Sequence, residues 1–250
     1  MIHSFLLIGQ SNMAGRGRPA DVTRISNPRI KVLRNGRWQK MFVPVNPDRS
    51  FSGISLAESF ADAYANEHGV DVGLIPCADG GTSLSQWREG GLLYDNAVYQ
   101  TRLADRTSTI VGVLWHQGEA DCAPSLAELY YEKALAIFSA LRRDLKLHDV
   151  PFILGGLGDF LAKHPTSPAL SNYPAVNAEL QRIANENELY GFVSAEGLSD
   201  NGDTLHFSAP ALREFGLRYY DVFKKLEKKD RVFVEKVAPD DAVRTAMEEL

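Results

Sequence analysis

Two cysteines in 250 residues, Cys77 and Cys122, are too few for a disulfide framework. They suit a reducing compartment, and Cys77 reads as a small core residue because no nearby basic group would activate it. Apolar runs are short, Phe5-Leu6-Leu7-Ile8 being typical, and none approaches the ~20 residues needed to cross a bilayer. The amino terminus has neither the basic n-region nor the long apolar stretch of a secretory signal, so a cytoplasmic location is expected, or a secreted one if a signal has been removed. Basic clusters are also missing. With 27 Lys and Arg against 32 Asp and Glu the net charge is −5, which argues against nucleic acid and anionic membrane as partners. Phosphate-loop, G-x-G-x-x-G, G-x-S-x-G and H-E-x-x-H patterns are absent as well, which leaves flavodoxin-like nucleotide binding the weakest reading and metal or another cofactor unexpected.

What is present is the composition of a globular protein, 44% hydrophobic and 24% charged, in a chain long enough for one large core. Short apolar runs near 3–9, 71–77, 109–115, 151–157 and 189–194 alternate with helical periodicity, the pattern of an α/β fold with a mostly parallel sheet. Ser55-x-x-Glu58 predicts a capped helix over about 55–67, and Ser125-x-x-Glu128 predicts another reaching about Leu145. Further helices are expected after Pro174 and after Ser208-Ala209-Pro210. Asn35-Gly36 between strand-like runs predicts a β-hairpin insertion over 31–40. Residues 1–229 form the expected domain. The tail 230–250 carries Val232-Phe233-Val234 and a helical pattern from Val243 to Leu250, suited to packing on the domain or on a second copy.

Polar residues gather where the strands end, which is where open α/β sheets bind ligands. The first run exits into Gly9-Gln10-Ser11-Asn12-Met13, placing the Ser11 hydroxyl at the rim. The second ends in Gly80-Gly81-Thr82, whose glycines let a backbone N–H approach a bound atom as an oxyanion hole requires. The third ends in His116-Gln117-Gly118-Glu119: the Gln117 amide can donate to an oxyanion, and Glu119 can orient a histidine. Ahead of the last helix, Asp203-x-x-His206 can bring a carboxylate to one imidazole nitrogen while the other faces a nucleophile. Alone, each of the first two segments fits an ordinary turn equally well, and a surface Asp beside a helix-entry His is the commoner meaning of Asp203-x-x-His206. His116 and Asp121 have no recognised metal-ligand spacing.

Taken in order, these four blocks resemble those of the SGNH hydrolases, and more narrowly the sialate O-acetylesterase and acetylxylan esterase-like branch, carbohydrate esterase family six. The resemblance implies a three-layer α/β/α sandwich and metal-independent removal of acetyl groups from an acetylated sugar or oligosaccharide. It makes Ser11 the nucleophile, His206 the acid/base and Asp203 its orienting partner, with Glu119 as the rival for that place. The oxyanion donors become the backbone N–H groups of Ser11 and of Gly80 or Gly81 with the Gln117 side chain, so Gln117→Ala is expected to slow turnover more than it weakens binding. Gln10, Asn12, Thr82 and Trp87 are expected to contact substrate; Trp38 and Trp87 could stack on a sugar face, although core packing is the commoner use of tryptophan. A general short-chain esterase, lipase or thioesterase shares this machinery, and a non-catalytic carbohydrate-binding protein shares the fold.

Overall fold

The computed structural model describes residues 1–228 and 233–236. Among these residues seven strands, β1 (Ile2–Gly9), β2 (Ile30–Arg34), β3 (Arg37–Lys40), β4 (Asp71–Pro76), β5 (Thr109–His116), β6 (Phe152–Gly155) and β7 (Tyr190–Val193), form one sheet. Its order is β3-β2-β4-β1-β5-β6-β7. Every neighbouring pair is parallel except β2 with β3. Those two are the arms of the expected hairpin, turned at Asn35 and Gly36, whose φ values of 51° and 73° suit a type I′ turn. The hairpin is stitched into the sheet, since β2 runs alongside β4.

The helices are α1 (Ser11–Ala14), α2 (Leu56–His68), α3 (Leu92–Ala104), α4 (Pro124–Ala127), α5 (Tyr130–Asp144), α6 (Tyr173–Glu186) and α7 (Ala209–Leu226). On one face of the sheet α2 packs against α7. There Phe5 of β1 meets Phe60, Tyr64 and Phe223 edge-on. On the other face α3 contacts α5 and α5 contacts α6, over Trp115, Phe138 and Phe152. The central β1 and β5 are covered on both sides, which is why their sequences are almost continuously apolar.

The first capping box forms as expected: Ser55 Oγ accepts from Ala57 N–H at 3.0 Å and Glu58 accepts from Ser55 N–H at 3.1 Å. The second does not. Pro124 starts α4 behind Ala123 at the N-cap, which puts Ser125 inside the helix, and the chain breaks before Tyr130. The expected single helix is therefore two. Of the carboxy-terminal expectations, Val232 and the pattern from Val243 to Leu250 lie outside the described residues. Residues 233–236 are irregular, with the Phe233 ring 4.1 Å from that of His3. No helix among the described residues is long and apolar enough to cross a membrane.

Candidate active site

Beyond the carboxyl ends of β1, β4 and β5 the polar segments converge. Gly9 ends β1 with φ of 130°, and a Cβ there would lie 2.0 Å from the His116 carbonyl oxygen, so only glycine lets β1 and β5 run this close at their exits. The chain then turns directly into α1, which begins with Ser11. Ser11 Oγ is 3.1 Å from His206 Nε2, and His206 Nδ1 is 2.7 Å from Asp203 Oδ2. Both distances fall within hydrogen-bond reach for proton transfer.

The turn carrying Asp203 and His206 is held by its own backbone. Asp203 Oδ1 accepts from the N–H groups of Leu205 and His206, each at 2.8 Å. Burial acts to raise the Asp203 pKa, but the hydrogen bonds from the His206 backbone and ring and from Leu205 outweigh it and hold the carboxyl below its ordinary range. Thr204, between them, has φ of 56°, a conformation that a β-branched residue adopts at a cost and that its Asp200 contact at 2.7 Å helps to retain.

Glu119 does not reach His206 as its partner. Its Oε1 accepts from Asn12 Nδ2 at 2.6 Å. Asn12 in turn donates to Leu205 O at 3.2 Å and accepts from Phe207 N–H at 3.1 Å. Asn12 thus grips the chain on both sides of His206, and Glu119 bears on the histidine through it. This corrects two expectations together, because Asn12 is 1% exposed and engaged on every side, leaving nothing for substrate.

The other substrate contacts expected from sequence are also structural. Gln10 is buried and faces the N–H groups of Gly118 and Ala120. Thr82 accepts from Trp87 Nε1 at 3.0 Å and donates to Asp79 O at 2.7 Å. Trp87 is fully buried against Trp115, and Trp38 is buried with its Nε1 on Thr107, so neither presents a face to a sugar. Gln117 needs the same correction. Its amide nitrogen donates to Thr82 O and Asp121 Oδ2, which uses both hydrogens, and the side chain is fully buried beside Tyr130. Burial raises the Asp121 pKa, and the Leu84 N–H and Gln117 contacts oppose it, so Gln117 serves a buried carboxyl and has no hydrogen left for an oxyanion.

Of the two glycines proposed as donors, Gly80 is committed, its N–H lying 2.9 Å from Asp48 Oδ2. The N–H groups of Ser11 and Gly81 have no hydrogen-bond partner among the described residues. Gly80 nevertheless brings its loop to Ser11, since a Cβ on it would lie 3.5 Å from Ser11 Cβ. Sequence reasoning missed the residues that hold this loop. Asn46 exchanges two 3.0 Å hydrogen bonds with the Ala78 backbone, and Asp48 pairs with Arg16. Pro44-x-x-Pro47 signals a rigid loop there, but nothing local tells which strand exit it serves. Cys77 and Cys122 are free and buried, with burial pushing each thiol up to about 12, which leaves them inert. No cluster of His, Cys, Asp and Glu among the described residues is arranged to hold a metal ion.

The family model for carbohydrate esterase, sialic acid-specific acetylesterase, matches residues 1–225, bearing out the resemblance carried by the four blocks. A probable carbohydrate esterase of Arabidopsis thaliana is 30% identical over 246 residues, covering 85% of this chain and 86% of that protein. An Arabidopsis thaliana protein of solved structure, 26% identical, superposes with a TM-score of 0.79 over 90% of this chain and 99% of its own. NanS, at 18% identity, gives 0.71 over 90% and 97% of the two chains. A carbohydrate acetylesterase from Xanthomonas citri, at 17% identity, gives 0.70 over 90% and 56%. These last two likenesses speak to fold.

Proposed function

Since the chain belongs to the carbohydrate esterase, sialic acid-specific acetylesterase family, we propose that it is a serine esterase that removes O-acetyl groups from carbohydrate hydroxyls through an acetyl-enzyme. The observation that carries this reading is the unbroken array Asp203, His206, Ser11, with contacts of 2.7 and 3.1 Å, at the carboxyl end of the sheet.

His206 Nε2 takes the Ser11 proton as Oγ attacks the acetyl carbonyl. Asp203 holds the imidazole with its proton on Nδ1 and stabilises the imidazolium that forms. The oxyanion is received by the Ser11 and Gly81 N–H groups. The imidazolium then protonates the departing sugar oxygen. Water attacks the acetyl group on Ser11 by the same route, giving acetate and free enzyme.

The test is hydrolysis of p-nitrophenyl acetate, butyrate and octanoate with EDTA present, followed by acid quench and mass analysis of the peptide carrying Ser11. Acetate-selective turnover with an acetyl group on Ser11, together with acetate release from O-acetylated sugars, is expected. Preference for octanoate would favour a lipase, and a sugar ligand bound without hydrolysis would favour a binding protein.

The pH profile is a second test. Asp203 is held below the ordinary carboxylate range, so it stays ionised while an imidazole titrates. The acid limb of kcat/KM should therefore fall as a single-proton step, with rate lost as pH drops and the general base takes up a proton. The absence of an acid limb, or a limb that follows two protons, would contradict a histidine base oriented by an ionised Asp203.

A further inference from the structure

Arg16 and Asp48 form an ion pair walled off from water, their side chains 4% and 5% exposed. The guanidinium meets the carboxylate as a fork, Nη1 to Oδ1 at 2.9 Å and Nη2 to Oδ2 at 2.7 Å. Burying two charges costs desolvation that well-packed apolar side chains would avoid, so such a pair is poor evidence for stability alone. What a planar fork adds over apolar packing is direction. Two further bonds of the pair run to the two segments that flank the site, and Arg49 Nη1 lies 3.8 Å from Asp48 Oδ2 as a second cation. Arg16 Nη1 also donates to Gly15 O at 2.9 Å, in the turn that leaves α1 and Ser11. Asp48 Oδ2 also accepts the Gly80 N–H at 2.9 Å, in the loop beyond β4, while its Oδ1 is braced by Ser52 Oγ at 2.8 Å. Gly80 is wedged between them: a Cβ there would lie 2.5 Å from Arg16 Nη2.

We propose that the Arg16–Asp48 pair is a positioning element for the oxyanion site, joining the Ser11 turn to the Gly80-Gly81 loop so that the free N–H groups of Ser11 and Gly81 converge on one oxygen. The inference rests on the esterase reading above and adds to it the residues that set donor separation. The two donors sit on segments far apart in the chain, and such constellations need tolerances of about 0.5 Å. Asn46 steadies the base of the loop at Ala78, and the Asp79 N–H donates to Gly9 O at 3.0 Å where β1 ends, while the ion pair ties Gly80 itself to the turn that leaves α1.

A structural staple and a positioning element differ in which substrate they affect. Asp48→Asn and Arg16→Lys would be compared with wild type on p-nitrophenyl acetate and on its thiono analogue, whose carbonyl sulfur is a weak hydrogen-bond acceptor. For the oxo ester, kcat is expected to fall about 10- to 100-fold with KM within about twofold, whereas the thiono ester should lose no more than about threefold. Amide exchange in the 78–83 peptide should rise in both variants. Should Asp48→Asn fail to fold, Arg16→Lys, which keeps the charge but loses the fork, supplies both readings. Equal losses on the two esters, an unchanged kcat, or unaltered exchange at 78–83 would each overturn the proposal. Failure of the esterase reading looks different: Ser11→Ala would hydrolyse the oxo ester as fast as wild type, and the exchange measurement would still decide whether the pair holds the loop.

Discussion

Ser11→Ala is expected to lower kcat for p-nitrophenyl acetate by about 10⁴- to 10⁶-fold, and Ser11→Ala combined with His206→Ala to be scarcely worse. The size follows from what the Ser11 Oγ to His206 Nε2 contact of 3.1 Å does. On the proposed mechanism no acyl-enzyme forms without the hydroxyl, and without the imidazole the hydroxyl keeps its proton, so either loss removes the same pathway. At ~1.4 kcal/mol per decade the expected loss is about 5–8 kcal/mol of transition-state stabilisation. On that mechanism what survives is attack by water, with the backbone N–H groups at positions 11 and 81 still available to the oxyanion. Steady-state rates of both single variants and the double variant decide the matter. Losses that multiply in the double variant would mean that Ser11 and His206 act independently, and Ser11→Ala turning over as wild type would remove the nucleophile.

The elements legible in the sequence are those whose signals are local. Five of the strands fall within a few residues of their expected runs, because buried parallel strands are apolar end to end. α2 was readable from the capping box at Ser55 and Glu58. α3 was not: its inward stripe is Tyr94, Ala97, Val98, Thr101 and Ala104, largely small residues, while Leu92 and Tyr99 point to solvent at 83% and 70% exposure. A helix that hides its apolar face this way has no clear period to read.

The same division runs through the site. Asp203 and His206 are three residues apart, so one turn explains their meeting, and their alignment on Ser11 follows once both lie at strand exits. Which way a polar side chain points as it leaves a strand is settled by tertiary packing. Gln117 and Asn12 turn into the protein against Asp121 and Glu119, although by residue type they suit an oxyanion or a sugar. Arg16, Asp48 and Gly80 come from three loops and share no spacing, so their meeting has no counterpart in the linear sequence.

Asp203→Asn is expected to lower kcat by about 10³- to 10⁴-fold, and Glu119→Gln by far less, even though both carboxylates lie close to the histidine loop. In the folded chain Asp203 Oδ2 accepts a hydrogen bond from His206 Nδ1–H at 2.7 Å, while Oδ1 accepts from the two backbone N–H groups that shape the turn. An asparagine that keeps its oxygen on those N–H groups turns its NH₂ toward Nδ1. The imidazole then holds its proton on Nε2, where it cannot accept one from Ser11, and the imidazolium loses its counter-charge. Glutamine at 119 keeps an oxygen for the 2.6 Å bond from Asn12, so the Asn12 contacts with Leu205 and Phe207 persist and His206 stays in place. Glu119→Ala is the informative contrast. It leaves the buried Asn12 amide without that acceptor, at a cost of about 1–3 kcal/mol, so stability should fall along with rate, and rescue by Gln but not by Ala would identify hydrogen bonding as the role. Measuring kcat and unfolding free energy for the three variants separates the two carboxylates. A greater kcat loss in Glu119→Gln than in Asp203→Asn would transfer the orienting role to Glu119 and refute the Asp203, His206, Ser11 array as the working triad.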